Sequence, residues 1–370
     1  MGRELLHTTE GVRDFYGAEY AKRKIIEDRI VTMMRRFGYE GVDTPTFEYF
    51  DLFAGELSEA SSKELYKFFD KEGETLVLRP DLTPSMARCV SKYFLHNQTP
   101  ARVSYSGKTF MNTSSLQGKL NEYMQTGAEL YNDGSVYADA EMIALMTECL
   151  KTSGLTDFQI SIGNAGYFKG VCAEAGLDAG TESALREQIA VKNYFAAEEI
   201  LNRASINTTH KDLLLKVYSF LNTEEDLVRA QSEVQNDLSA AALTRLIELN
   251  RVLKMYAVDE YVSFDLGMLS RYNYYTGVIF KAYTYGVGDA IASGGRYDSL
   301  LVKFGKDAPA IGFVILLDDL MNALSRQKIE VSVPADAVTL TADAASAKER
   351  IRDAMEKRQN GQNVCLQIGS

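Results

Sequence analysis

Between residues 20 and 37, isoleucine and methionine side chains recur three or four positions apart, with charged side chains between them. This spacing predicts an amphipathic helix over Tyr20–Phe37, and Gly38 marks its C-terminal end. Similar patterns predict further helices over residues 61–68, 82–94, 139–152, 318–325 and 344–358.

Short apolar runs, continuous or alternating with polar residues, predict strands. Phe68–Leu78 is typical of a hairpin that turns at Lys71–Gly73. Pro45 biases Thr44 away from helix, so that segment is predicted to be extended. The other predicted strands cover residues 102–110, 123–130, 158–162, 262–266, 277–282, 290–292, 310–317, 337–341 and 364–368.

Between residues 168 and 255, Ala, Leu, Glu, Lys and Arg dominate and helical spacing returns, which predicts a helical insertion. Strands on both sides of a run of helices favour an α+β fold with an antiparallel sheet over a doubly wound parallel sheet. We therefore predict one domain from residues 1–167 and 256–328, the insertion at 168–255, and a short C-terminal α/β fragment at 334–370.

Composition argues against several classes of protein. The chain has 370 residues, with 40 Lys+Arg against 51 Asp+Glu, and its net charge of −11 argues weakly against general nucleic-acid binding. The longest apolar run, residues 310–317, is far short of the ~20 residues of a membrane span. The N-terminus does not resemble a signal peptide. Dispersed cysteines and histidines predict a reducing, cytoplasmic setting, no metal site and no cofactor.

Two phosphate-binding motifs are only partial. Ser106–Thr109 contains Gly-Lys-Thr, but Arg102 stands where the phosphate loop needs its first glycine. Gly286 and Gly288 are followed by Ile291 where a dinucleotide fingerprint needs a third glycine. Both matches are therefore interpreted as coincidences.

Three polar segments are better candidates for a ligand site. The paired glycines of Ala292–Asp298 indicate close approach of backbone to a ligand or a tight turn, and the segment alone favours the turn. The tyrosines of Tyr272–Gly277 suit a small polar ligand, although a half-buried strand edge is commoner.

The third candidate combines two segments. On a strand, Gln125 and Glu129 share one face, with Gly127 leaving a slot between them. Together with Asp81 and Thr83 they would form an acceptor-rich pocket for a cationic amine or an imidazole N–H. The alternative is a set of hydrogen-bonded surface residues.

Read in order, these segments resemble histidyl-tRNA synthetase, a class II aminoacyl-tRNA synthetase, over Met1–Ser325. In that family the first motif builds the dimer interface. The resemblance rests on Gly11–Phe15 for the opening, Phe37–Glu48 for the first motif, Leu78–Thr83 and Gln117–Gln125 for the second, and Tyr274–Gly277 and Gly294–Asp298 for the histidine-specific segments. It implies a class II synthetase-like antiparallel sheet flanked by helices.

The resemblance also implies a histidine site. Asp81, Thr83 and Gln125 would hold the α-amino group. Glu129 and Tyr275 would receive the imidazole, which Tyr297 would line. The remaining residues that the resemblance places there are Arg271 and Tyr274.

The departures from the family fall on its ATP contacts. Met111 and Thr113 stand where the second motif has its Arg and Glu, and Asp319 stands where the third has its Arg. Ser270 takes the aligned position of a catalytic Arg, although the neighbouring Arg271 could partly substitute. Since phosphoryl-type transition states need fixed cations, we predict that adenylation is lost.

A site that keeps its histidine contacts and loses its ATP contacts resembles the regulatory subunits of ATP phosphoribosyltransferase. That resemblance implies a non-catalytic chain acting in the first step of histidine biosynthesis. It implies a self-dimer within a hetero-octamer of four regulatory and four short catalytic chains. It also implies that the regulatory chain activates the catalytic chains and takes part in their feedback inhibition by histidine.

Two alternatives stay open. One is an active or degenerate histidyl-tRNA synthetase. The other is a stand-alone histidine-binding or RNA-binding module. We expect no tRNA recognition, since residues 337–370 could form only one strand–helix–strand unit where the synthetase has a complete anticodon-binding domain.

Overall fold

The computed structural model describes residues 6–54, 62–94, 99–113, 120–204, 206–269, 275–333 and 337–369. Its first half contains α1 (Gly17–Arg36), β1 (Glu40–Gly41), β2 (Phe47–Tyr49), β3 (Lys67–Phe69), β4 (Thr75–Leu78), α2 (Thr83–Tyr93), β5 (Ala101–Phe110), β6 (Glu122–Tyr131), α3 (Val136–Thr152) and β7 (Phe158–Asn164).

The second half is helical before it returns to strands. It contains α4 (Ala165–Glu174), α5 (Ala179–Ala190), α6 (Tyr194–Arg203), α7 (Thr208–Leu215), β8 (Phe220–Leu221), α8 (Glu224–Glu233), α9 (Asp237–Met255), β9 (Val262–Asp265), β10 (Val278–Thr284), β11 (Ala292–Arg296), β12 (Ala310–Leu316), α10 (Leu317–Arg326), β13 (Val338–Ala342), α11 (Ala347–Gln359) and β14 (Val364–Ile368).

Nine strands form the main sheet, in the order β1-β5-β6-β12-β11-β10-β7-β9-β8. The five pairings from β5 to β7 are antiparallel, as predicted. The pairs β1–β5 and β7–β9 are parallel, so the sheet is mixed rather than antiparallel throughout. Both exceptions join strands that are far apart in the chain, whose relative direction no local turn signal could reveal.

Three local predictions were wrong, one of them the strand over residues 290–292, which the structure has at Ala292–Arg296. Residues 67–68, placed in a short helix, belong to β3, because Phe68 pairs with Leu76 in the hairpin that was also predicted. The paired glycines lie within β11 and not in a turn: Gly294 pairs with Phe280 on one side and Phe313 on the other. Strand pairing in the middle of the sheet overrides the turn preference of glycine.

The main apolar core lies between the sheet and helices α1, α3, α4 and α9. The helical segment shares this core, since Phe168, Leu246 and Leu253 are buried in the same cluster as Ile162 of β7. Its strand β8 pairs with β9 and so extends the main sheet. A second cluster joins α2 to β5 and to the segment after β11. The candidate site lies at β6, β11 and β12, beside the start of α2.

The C-terminal segment has the predicted order of strand, helix and strand. Strands β13 and β14 are parallel, with Leu340 opposite Leu366, and Ala354 of α11 is buried. Among the described residues, no helix is long and apolar enough to cross a membrane.

Candidate functional site

Strands β6, β11 and β12 and the start of α2 enclose a cavity of about 130 Å³. Such a volume has room for a ligand of roughly ten non-hydrogen atoms, at about 10–15 Å³ per water-sized position. The described residues that line it are Asp81, Thr83, Gln125, Glu129, Tyr275, Ser293, Gly294, Tyr297, Gly312, Phe313, Val314 and Leu316. Lys, Arg and His are absent from this described lining, so its two carboxylates give it acidic character.

Glu129 is the centre of the cavity and is only 1% exposed. Thr83 Oγ1 donates to Glu129 Oε1 over 2.9 Å, Tyr105 OH donates to the same oxygen over 3.3 Å, and Tyr297 OH donates to Oε2. A carboxylate offers about four acceptor positions. Three hydroxyl donors therefore leave about one acceptor position for an N–H group of a ligand.

Two glycines leave the space that the Glu129 carboxylate and the Tyr105 hydroxyl occupy. A side chain at Gly312 would overlap Glu129 Oε2, because β12 lies directly against β6 at this point. A Cβ at Gly127 would lie 2.6 Å from Tyr105 OH. The slot predicted over Gly127 is therefore not open to a ligand but occupied by the Tyr105 hydroxyl.

Asp81 and Gln125 add acceptors next to Glu129. Asp81 precedes α2 and its Oδ1 accepts from the Leu82 backbone N–H over 2.8 Å. Burial raises the pKa of Asp81 to about 6 although the backbone N–H groups of Leu82 and Thr83 oppose the shift. Gln125 Oε1 is buried and has no hydrogen-bond partner among the described residues. This buried, unpaired acceptor calls for a ligand donor, because an unsatisfied buried polar atom is costly.

Burial is also the largest influence on Glu129 and raises its pKa to about 8. The negative charge of Asp81 adds to the shift, while the hydroxyl donors Tyr297, Thr83 and Tyr105 oppose it. The empty site therefore holds Glu129 mainly in its neutral form near pH 7. A cationic ligand favours its ionisation.

We expect the ligand-free chain to become less stable as pH rises, because its folded form must give up the proton that Glu129 holds. The ordinary carboxyl pKa is 4.5, and between that value and about 8 the folded chain retains a proton that the unfolded chain has released. The free energy of unfolding therefore falls across this interval. Urea unfolding at a series of pH values measures the slope. In Glu129→Gln the free energy of unfolding should change less with pH above about pH 6, where Asp81 is already ionised in the folded chain. Equal slopes in the variant and the unaltered chain would contradict the assignment.

The described positions that the resemblance links to ATP carry no cation. Met111 packs against the apolar cluster of Phe53, Leu65 and Val77. Thr113 Oγ1 donates to Asn121 Oδ1 over 3.0 Å. These side chains are therefore engaged in the packing and hydrogen bonding of this chain.

Asp318 and Asp319, at the start of α10, lie in different environments. Asp318 accepts from Arg23 Nη2 of α1 over 3.1 Å and from the Met124 backbone N–H over 2.9 Å, so it joins α1, β6 and α10. Burial, followed by the charges of Asp318 and Asp289, raises the pKa of Asp319 to about 6. An acid at this position would repel a triphosphate.

Six of the predicted histidine-site residues come together in the cavity: Asp81, Thr83, Gln125, Glu129, Tyr275 and Tyr297. The other two, Arg271 and Tyr274, lie outside the described residues, as does Ser270. Sequence reasoning missed Tyr105 and the cavity-lining part of β12, and it named Ser293 only as part of the candidate segment Ala292–Asp298. Gly312 within an otherwise apolar run was the available signal, since a glycine inside a strand often marks close approach of a neighbour.

Comparison with known proteins identifies the family of the chain. The profile of the family described as histidyl-tRNA synthetase matches residues 11–320. The ATP phosphoribosyltransferase regulatory subunit of Acetivibrio thermocellus is 39% identical over 334 residues, which cover 90% of this chain and 80% of that protein. The corresponding protein of Halothermothrix orenii is 35% identical and matches 100% of this chain and 88% of its own length.

Solved structures extend the comparison. A Bacillus halodurans protein described as an ATP phosphoribosyltransferase regulatory subunit/histidyl-tRNA synthetase has a TM-score of 0.88 and 32% identity, and the match covers 99% of this chain and 94% of that one. Histidyl-tRNA synthetase from Nostoc has a TM-score of 0.81 at 18% identity, covering 100% and 87%. These similarities confirm the predicted synthetase-like fold. The chain belongs to the ATP phosphoribosyltransferase regulatory subunits, a family related to histidyl-tRNA synthetase.

Proposed function

We propose that this chain binds histidine in the cavity around Glu129 and passes the signal to a short-form ATP phosphoribosyltransferase catalytic subunit. It activates that subunit and takes part in feedback inhibition by histidine in the cytoplasm. The observation that carries the proposal is the acceptor-rich cavity, together with the lack of a cation at Met111 and Asp319, the positions that the resemblance links to ATP. Glu129 and Asp81 suit the two nitrogen-bearing ends of histidine, whereas Met111 and Asp319 do not suit ATP.

In the proposed complex, the α-ammonium group lies near Asp81, Thr83 and Gln125. It satisfies the unpaired Gln125 Oε1. An imidazole N–H takes the remaining acceptor position of Glu129. Tyr275 and Tyr297 flank the ring with flat apolar faces. The α-ammonium group also brings positive charge next to Asp81, which has no cation among the described lining residues.

Adenylation is proposed to be lost. Its transition state needs fixed positive charge on phosphate oxygens, and one such group commonly changes the rate by ~10²-fold or more. Met111 is packed among apolar side chains and Asp319 is acidic. The chain therefore acts through binding, and the assembly's active and inhibited states must differ in their affinity for histidine.

Dimerisation through the first motif and a hetero-octamer with the catalytic chains complete the proposal. Phe47, within that motif, is 53% exposed, and its ring lies 5.9 Å from that of Phe68. Exposed aromatic side chains of this kind suit a protein interface.

Four measurements test the proposed function. We expect calorimetry to show histidine binding by the purified chain, and we expect no histidine-dependent ATP–pyrophosphate exchange. Mixing with a short-form catalytic subunit should raise phosphoribosyl transfer, and histidine should reverse the increase. Robust exchange would instead identify an active synthetase. Histidine binding without complex formation would indicate a stand-alone module, and the mass of the mixture, measured with and without histidine, detects the complex.

A further inference from the structure

An ion-pair network around the buried Asp139 includes Arg296, the residue before Tyr297, and none of its members lines the cavity. Asp139 of α3 is 0% exposed. Its Oδ1 accepts from Arg296 Nε of β11 over 2.8 Å, and its Oδ2 accepts from Arg245 Nε of α9 over 2.7 Å. Arg296 also donates from Nη1 to Asp298 Oδ1 over 3.2 Å. Two guanidinium groups and two carboxylates thus balance in charge around the buried Asp139–Arg296 pair, while the Asp298 side chain is 42% exposed.

Arg296 stands between two of the cavity's tyrosines. It ends β11 and is followed by Tyr297, whose hydroxyl donates to Glu129. Its backbone carbonyl accepts from the Thr276 N–H over 2.8 Å, immediately after Tyr275. The guanidinium also reaches the loop before α3, donating to the Asp133 carbonyl over 3.1 Å. A side chain fixed at so many points determines where both neighbouring backbone segments lie.

Arg245 extends this arrangement to the helical segment. It belongs to α9, its side chain is 25% exposed, and its Nη2 donates to the Gly134 carbonyl over 2.9 Å. Helix α9 is therefore joined to the same carboxylate that holds Arg296. Movement of either partner changes the hydrogen-bonding geometry available to the other, because both share Asp139.

We propose that Arg296, held by Asp139, is a positioning residue for Tyr275 and Tyr297, and that Arg245 couples helix α9 to this position. The inference rests on the proposed function in naming histidine as the ligand. The network touches no part of the cavity surface, so it acts through the tyrosines. Through Arg245, the helical segment is connected to the cavity and can respond when a ligand binds there.

Hydrogen exchange on the full-length, ligand-free chain tests the positioning. Arg245→Ala and Arg296→Lys should speed exchange of the Tyr297 amide, which donates to the Ala310 carbonyl over 2.8 Å, and of the Thr276 amide. Arg251→Ala is the matched control, because Arg251 lies on the same helix and pairs with Glu224 at the surface. Unchanged exchange at both amides in both variants would overturn the proposal, whether or not histidine binds.

Calorimetry then tests the effect on the ligand. We expect histidine affinity to fall about threefold in Arg245→Ala and about tenfold in Arg296→Lys, the range of indirect coupling, and to stay unchanged in Arg251→Ala. In a Tyr297→Phe background the same changes should have a smaller effect, because the part that acts through that hydroxyl is already lost. Full additivity with Tyr297→Phe, or equal affinities throughout, would overturn the coupling. Absence of histidine binding by the unaltered chain would overturn the proposed function, and hydrogen exchange would still decide the positioning.

Discussion

Glu129→Ala should weaken histidine binding by about 2–5 kcal/mol, the range for truncating one partner of a buried charged hydrogen bond. Glu129 is the point on which Thr83, Tyr105 and Tyr297 converge. Without it, these donors lose their acceptor and the imidazole loses its partner. Calorimetry measures the affinity, and assays of the complex with its catalytic subunit measure the corresponding loss of feedback.

Two further variants separate binding from folding. Glu129→Gln keeps an acceptor and removes the ionisable group, so it should lose much of the affinity without lowering the free energy of unfolding at pH 8. Glu122→Ala is the matched control, because Glu122 lies on the same strand and pairs with Lys108 at the surface. Unchanged histidine sensitivity in Glu129→Ala would mean that histidine acts elsewhere, on the catalytic chain or at a subunit interface.

Gly312→Ala should have the second large effect, because the added methyl group would take the place of Glu129 Oε2. The Ala128 backbone carbonyl is also 2.9 Å from the new Cβ, so moving the Glu129 side chain alone does not relieve the crowding. We expect the free energy of unfolding to fall by about 1–3 kcal/mol, as overpacking typically costs. Displacement of Glu129 should also remove detectable histidine binding.

Gly288→Ala provides the control for Gly312→Ala. A Cβ at Gly288 meets no atom within 4 Å, so this change should leave both unfolding and binding unaltered. Urea unfolding and calorimetry on the two variants give the comparison. Normal histidine binding by Gly312→Ala would show that the Glu129 carboxylate does not need its present position.

Local patterns predicted most elements because their signals are short-range. The helix at α1, the hairpin of β3 and β4, and the run from β12 into α10 depend on neighbouring residues alone. Predictions failed where pairing with another strand decided the outcome. The glycines of β11 looked like a turn, yet pairing with β10 and β12 holds them extended. The parallel β7–β9 pair joins strands separated by the whole helical segment.

The sequence by itself determined the chemical character of the site. Acidic, amide, hydroxyl and aromatic side chains at Asp81, Gln125, Thr83, Glu129 and Tyr297 already favoured a ligand with N–H groups. The absence of a cation at Met111 and Asp319 was equally visible, because residue type alone decides charge.

Only the tertiary structure decided how these groups act together. Burial makes the Glu129 carboxyl weakly acidic, close packing of β12 makes Gly312 necessary, and Tyr105 fills the space over Gly127. The Asp139 network likewise joins three elements that are remote in the chain. Desolvation and close packing depend on what surrounds a side chain in space, and sequence spacing does not contain that information.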